Sequence, residues 1–192
     1  MKRLIVTASL LCLFAAPAAA EVKAADAGGM QIRHEIDVAA TPAAVYAAFV
    51  RIGQWWNPEH TYSGSSRHMT LDARAGGCFC ETWGEGNAVE HAHVVFVMPG
   101  KAVRMIGGLG PLQQHGIAGA LTFSFKPEGT GTRLAAQYNI GGQIAGGFTP
   151  LAGPVDFVLG EQVARLKQFA ETGLPVAAPA PAGAATSDSQ AK

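Results

Sequence analysis

The chain has 192 residues, with 14 basic and 14 acidic side chains, no formal net charge, 48% hydrophobic residues and 15% charged residues. Such a balance excludes the basic footprint of a nucleic-acid binder, and it supplies enough apolar material for one packed domain. The 24 glycines point to many turns and a sheet-rich architecture.

The chain opens "MKRLIVTASLLCLFAAPAAAEV". Lys2 and Arg3 form a positive start, Leu4 to Ala16 an apolar run, and Ala18-Ala19-Ala20 a small-residue exit, the three-part pattern of a secretory signal peptide cleaved after Ala20. The run is too short for a membrane span, which needs about 20 residues. Cys12 follows the bulky Leu11, which does not suit the small residue a lipid-anchoring site requires. Removing residues 1–20 takes away two bases and no acids, leaving a formal net of −2. A secreted or periplasmic protein is expected, with no membrane span in its mature form. Cys78 and Cys80 are then its only cysteines.

Residues 21–29, "EVKAADAGG", read as a flexible lead-in. In "MQIRHEIDVAA", Ile32, His34, Ile36 and Val38 alternate with polar neighbours, the mark of a half-buried strand. Thr41 then offers an N-cap and Pro42 a first helical position. Val45, Phe49, Ile52 and Trp56 carry helical spacing up to the stop at Asn57-Pro58. Strands are predicted at Met69–Ala73, Gly77–Trp83, Ala88–Met98, Ala102–Gly107, Ala118–Lys126 and Thr132–Ile140, separated by the turn-rich "RAGG", "GEGN", "PGK" and "PEGTG". In the last two, Leu121, Phe123 and Phe125, then Leu134, Ala136, Tyr138 and Ile140, give each strand one core face. A final helix is expected to start near Pro154 and Asp156. Leu159, Val163, Leu166 and Phe169 or Ala170 form its stripe, and Gly173 its end. From Leu174 the chain is rich in Pro, Ala and Ser and reads as a disordered tail to residue 192. The folded unit is therefore residues 30–173. Strand, helix, antiparallel strands and a long amphipathic helix make an α+β domain, a curved sheet around one helix.

Two segments carry a family resemblance. "ATPAAVYAAFVRIGQWWNP" resembles the opening helix of the START-like, polyketide-cyclase-like (SRPBCC) superfamily, and "GPVDFVLGEQVARLKQFAETG" is similar to its closing helix. "WWNPEHTYSG", "RAGGCFCE" and "LGPLQ" resemble an exported bacterial branch of unassigned function. The resemblance spans residues 30–173 and implies a helix-grip fold with an apolar cavity between sheet and C-terminal helix. The superfamily includes ligand carriers, cyclases, hydrolases and chaperone-ATPase activators. A signal peptide sets this chain apart from the last, so no chaperone ATPase partner is expected.

The stretch "GGCFCETWGEGNAVEHAH" places Cys78 and Cys80 one residue apart and His91 and His93 likewise. A two-residue turn at Glu85-Gly86 would set Cys80 opposite His91 and Cys78 opposite His93, all four on one face. Such a set could hold zinc or, reduced, copper. A bulge or a three-residue loop would shift that pairing. A Cys78–Cys80 disulfide with a redox role, or two small apolar side chains lining the sheet, are the other readings.

The resemblance places the loop containing Trp56, His60 and Tyr62 near the cavity mouth. The Gly-rich stretch Gly107 to Gly116, with Gln113, reads as a lid, and it lacks the ending of a phosphate loop. Arg104 would anchor a ligand carboxylate if it pointed inward. No Ser-His-Asp order or carboxylate pair stands out, so no catalyst is named. The leading expectation is a protein that holds a small apolar or aromatic molecule. A cyclase or hydrolase using His or Glu on the same cavity, and a metal or thiol-redox protein, are the alternatives.

Overall fold

The structure, a computed structural model, describes residues 21–176. The expected signal peptide and the tail beyond Val176 lie outside them. Eight strands form one antiparallel sheet: β1 (Glu21–Ala25), β2 (Gly29–Val38), β3 (Met69–Leu71), β4 (Cys78–Trp83), β5 (Asn87–Met98), β6 (Ala102–Gly107), β7 (Ala118–Glu128) and β8 (Gly131–Gly141). Their spatial order is β1-β2-β8-β7-β6-β5-β4-β3. Helix α1 (Pro42–Phe49) follows β2, and α2 (Thr149–Thr172) closes the chain. This is the α+β architecture that the order of elements predicted, in the helix-grip form that the family resemblance implied.

One face of the sheet packs on the helices. Leu121, Phe123 and Phe125 of β7 and Leu134, Ala136 and Tyr138 of β8 are all buried, as their period-2 spacing requires. Leu159, Val163, Leu166 and Phe169 of α2 meet them from the other side. Each large side chain so buried contributes about 1.5–3 kcal/mol.

Four expectations are corrected. Residues 21–25 are an edge strand, pairing Glu21 with Arg33 and Ala25 with Met30, because Val22 and Ala25 pack on the core. The first helix stops at Phe49 and not at Trp56. The Trp55 indole N–H turns back to donate to the carbonyls of Ala48 (3.1 Å) and Phe49 (3.3 Å), which satisfies helix-end acceptors with a buried side chain. The last helix begins one and a half turns early: Phe148 is fully buried, its N–H donates to Asp26 O at 2.9 Å, and Pro150 occupies the first turn. Pro154 therefore lies inside the helix, and Asp156 faces β2 and does not cap. Beyond Gly173, Val176 is not loose either: its N–H donates to Gln54 O at 3.1 Å and its carbonyl accepts from Arg165 at 3.0 Å.

Candidate functional site

The hairpin β4–β5 decides which side chains enter the interior. Its loop has three residues, Gly84-Glu85-Gly86, closed by the Trp83–Asn87 pair. Gly84 (φ 55°) and Gly86 (φ 79°) occupy the left-handed region that favours glycine. Cys80 therefore faces Glu90, one residue off the predicted register. A bulge beside His91 absorbs the slip, so that Phe79 pairs with Ala92 and Cys78 with His93. Two consecutive residues of β5, His91 and Ala92, are consequently both buried.

The four predicted metal donors do not converge. His91 turns inward, while Cys78, Cys80 and His93 stay on the outer face, and Cys78 and Cys80 are joined in a disulfide. Cys78, Cys80 and Glu90 do offer three ligand atoms within 4.8 Å of one another, but sulfurs bonded to each other present no thiolate to a metal. The bridge closes a loop of three residues, which by chain entropy stabilises by roughly 1–2 kcal/mol. It is a local clasp on the outer face.

On the inner side a cavity of about 460 Å³ lies between the sheet and α2, within the size range of small-molecule sites. Leu151, Pro154, Val155, Val158 and Leu159 of α2 form one wall. Leu109, Gly110, Pro111 and Leu112, in the segment expected as a lid, form another. Trp56, His60 and Tyr62 line it as predicted. Trp56 is fixed by its indole N–H, which donates to His60 O at 2.9 Å, and it meets Phe79 edge-on at 5.1 Å between ring centroids. His60 Nε2 lies 3.1 Å from Glu161 Oε2.

Arg104 and Gln113 are not part of the site. Val103 and Met105 point inward on β6, so Arg104 between them points out, donating to Thr122 and lying over the Phe96 ring at 5.5 Å. Gln113 is exposed and donates to Glu90 O at 2.6 Å, whereas its neighbour Gln114 lines the cavity.

Three polar residues that the sequence did not nominate complete the walls. Glu81, fully buried behind the cavity, accepts from the backbone N–H groups of Tyr62 (3.0 Å) and Ser63 (2.6 Å) and lies 3.1 Å from His91 Nε2. Burial alone would raise the Glu81 carboxyl, but hydrogen bonds from Ser63, Tyr62 and His91 together outweigh it and hold it below its ordinary range. Burial lowers His91, only partly opposed by Glu81. The pair is thus a carboxylate beside a neutral imidazole at neutral pH. Tyr138 donates to Gly107 O at 2.7 Å and accepts from Leu109 N–H at 3.2 Å, and burial pushes its hydroxyl up to about 12. It pins the start of the lid. Gln162 of α2, fully buried, accepts from Asn57 N–H at 2.9 Å and lines the cavity, yet its Nε2 has no hydrogen-bond partner among the described residues.

The signals for these residues were present. Gln162 stands in the apolar stripe of α2 with Leu159, Val163 and Leu166, and Glu81 stands two residues from inward-facing Phe79. A polar residue at a core position is informative because its burial requires a partner.

No family model and no curated protein matches the sequence. Solved structures do. The chain is similar to DynU16, a protein of the dynemicin biosynthetic locus, with TM-score 0.55 and 19% identity over 76% of this chain. It spans about half of DynU16, 48% of that chain. CalU16 from Micromonospora echinospora aligns at TM-score 0.54 and 18% identity, covering 93% of this chain and 88% of its own. The protein EF2215 from Enterococcus faecalis aligns at TM-score 0.54 and 14% identity, covering 85% and 81%. At these identities the likeness is one of fold. Fold alone does not assign an activity.

Proposed function

We propose that the protein is an exported carrier or receptor for a small apolar or aromatic molecule held between the sheet and α2. The observation that carries this reading is the cavity itself: about 460 Å³, walled on two sides by aliphatic residues of α2 and of the lid, with Trp56 and Tyr62 presenting rings to it. Concave, mostly apolar sites with few polar groups are the usual form of small-molecule pockets. Export is supported by the three-part N-terminal sequence and by the disulfide, which suits an oxidising compartment.

The test is a titration of the mature chain with naphthalene, followed by intrinsic tryptophan fluorescence. Saturable binding is expected for the wild type, and Val158→Trp, which puts a large ring into the cavity, should abolish it while leaving the unfolding midpoint within a few degrees. Equal binding by Val158→Trp would show that the cavity is not the site.

A further inference from the structure

The walls of the cavity carry an incomplete set of hydrogen bonds, and the missing half describes the ligand. Gln162 is fully buried, and its orientation is set by Asn57: the backbone N–H there must meet an acceptor, so the amide oxygen faces it at 2.9 Å. A flipped amide would set donor against donor. Nε2 is then committed to the other direction, where no protein acceptor meets it among the described residues. A buried amide N–H left without a partner is unfavourable, and native proteins rarely tolerate one without a ligand or water.

His91 supplies the opposite polarity. Glu81, ionised and held by two backbone N–H groups, can only accept. The imidazole nitrogen facing it, Nε2, must therefore carry the hydrogen, which leaves Nδ1 as a lone-pair acceptor without a protein partner among the described residues. The rings of Phe79 and Tyr62 flank this imidazole at 4.9 and 5.9 Å between centroids. An acceptor between aromatic rings suits an O–H group borne on a flat ring.

Charge narrows the class further. Among the described residues no Lys or Arg lines the cavity, while Glu59 does, and Glu81 stands behind His91. A carboxylate or phosphate would enter without a counter-ion.

We propose that the cavity selects an uncharged hydroxy-carbonyl compound with a flat apolar body, its carbonyl oxygen accepting from Gln162 and its acidic hydroxyl, a phenol or enol, donating to His91. The assignment rests on the cavity-binding reading above and specifies its ligand.

Four probes separate the two: naphthalene, 2-acetylnaphthalene, 2-naphthol and 2-naphthoate, each titrated into the mature wild-type chain and its variants. The ketone and the naphthol are expected to bind roughly 3- to 10-fold tighter than naphthalene, the gain of one net hydrogen bond, and 2-naphthoate more weakly than either. Gln162→Leu should cancel the ketone's gain and leave the naphthol's. His91→Phe should do the reverse, so each variant serves as the folding control for the other. Naphthalene binding as tightly as both oxygen-bearing probes overturns the ligand assignment and leaves the cavity reading in place. So does 2-naphthoate binding tightest. Failure of all four probes to bind removes both.

Discussion

His91 shows how one imidazole is tuned by position. Burial among Phe79, Tyr62 and Ala92 disfavours its charged form, and the Glu81 carboxylate opposes that only in part. Its pKa in the folded protein therefore lies below the 6.5 of the unfolded chain. Between the two values the unfolded state binds more protons, so this residue's contribution to stability is complete above pH 6.5 and is lost as pH falls toward the folded value. Glu81 is depressed below 4.5, so its contribution is present above 4.5 and is lost as pH falls further. Both act in the same direction, toward acid lability. Urea midpoints measured from pH 7.5 to 5 should fall for the wild type, and His91→Phe should flatten that slope. An unchanged slope would mean that the imidazole is as easily protonated inside the protein as outside.

At the level of elements, α2 and β2 meet at a glycine. A Cβ on Gly160 would come within 2.6 Å of His34 Cε1. The His34 ring is buried, and its Nε2 lies 2.9 Å from Asp156 Oδ1 in a direction that makes no hydrogen bond, so it is held by packing. Alanine in a helix gains about 1 kcal/mol over glycine, while overfilling a packed site costs about 1–3 kcal/mol. Gly160→Ala should therefore destabilise by roughly 1 kcal/mol in the wild type. In a His34→Ala background, where the ring is gone, the same change should stabilise. Urea denaturation of the four chains tests the coupling, and an additive result would remove it.

The same elements show what the sequence made legible. Strands β7 and β8 could be read directly, since one face of each is core and Leu121-Phe123-Phe125 or Leu134-Ala136-Tyr138 has no other arrangement that buries all three. The end of α2 was equally plain in Gly173, which adopts φ 68°. The hairpin was not. Its register turns on one residue of loop and one residue of bulge, two local events that cancel by Phe79–Ala92, shift the pairs from Cys80–Glu90 to Trp83–Asn87 by one residue and turn His91 inward. Period-2 reasoning places every residue or none, so it assigned His91 to the same face as the cysteines. Arg104 was readable as outward from Val103 and Met105. Gln162 required asking why an amide should sit in an apolar stripe.

Across the whole molecule, helix α2 is secured at both ends of the cavity wall. On one side Phe148 N–H binds Asp26 O, at 2.9 Å. On the other, Arg165 donates to Trp55 O at 2.7 Å, Glu161 and Gln162 hold Asn57, and Lys167 reaches Asp37 O at 2.7 Å. The lid from Leu109 to His115 is held by Tyr138 at its base, by Gln113, which donates to Glu90 O at 2.6 Å, and by the half-exposed Tyr62, whose hydroxyl donates to Gly110 O at 3.2 Å. Ligand passage is expected at the Tyr62 side. Tyr62→Phe, which keeps the ring and drops that hydrogen bond, should raise the rates of naphthalene capture and release together by a few-fold in stopped-flow mixing. A change in release alone would place the path elsewhere.

A helix fixed at both ends gives the cavity a rigid frame and leaves the lid beside Tyr62 as the expected door. Arrival and departure then share one barrier. Substitutions at the door change how quickly the protein exchanges its cargo and not how much it holds at equilibrium, so hold time and affinity can be adjusted separately, the first at Tyr62 and the lid, the second at His91 and Gln162.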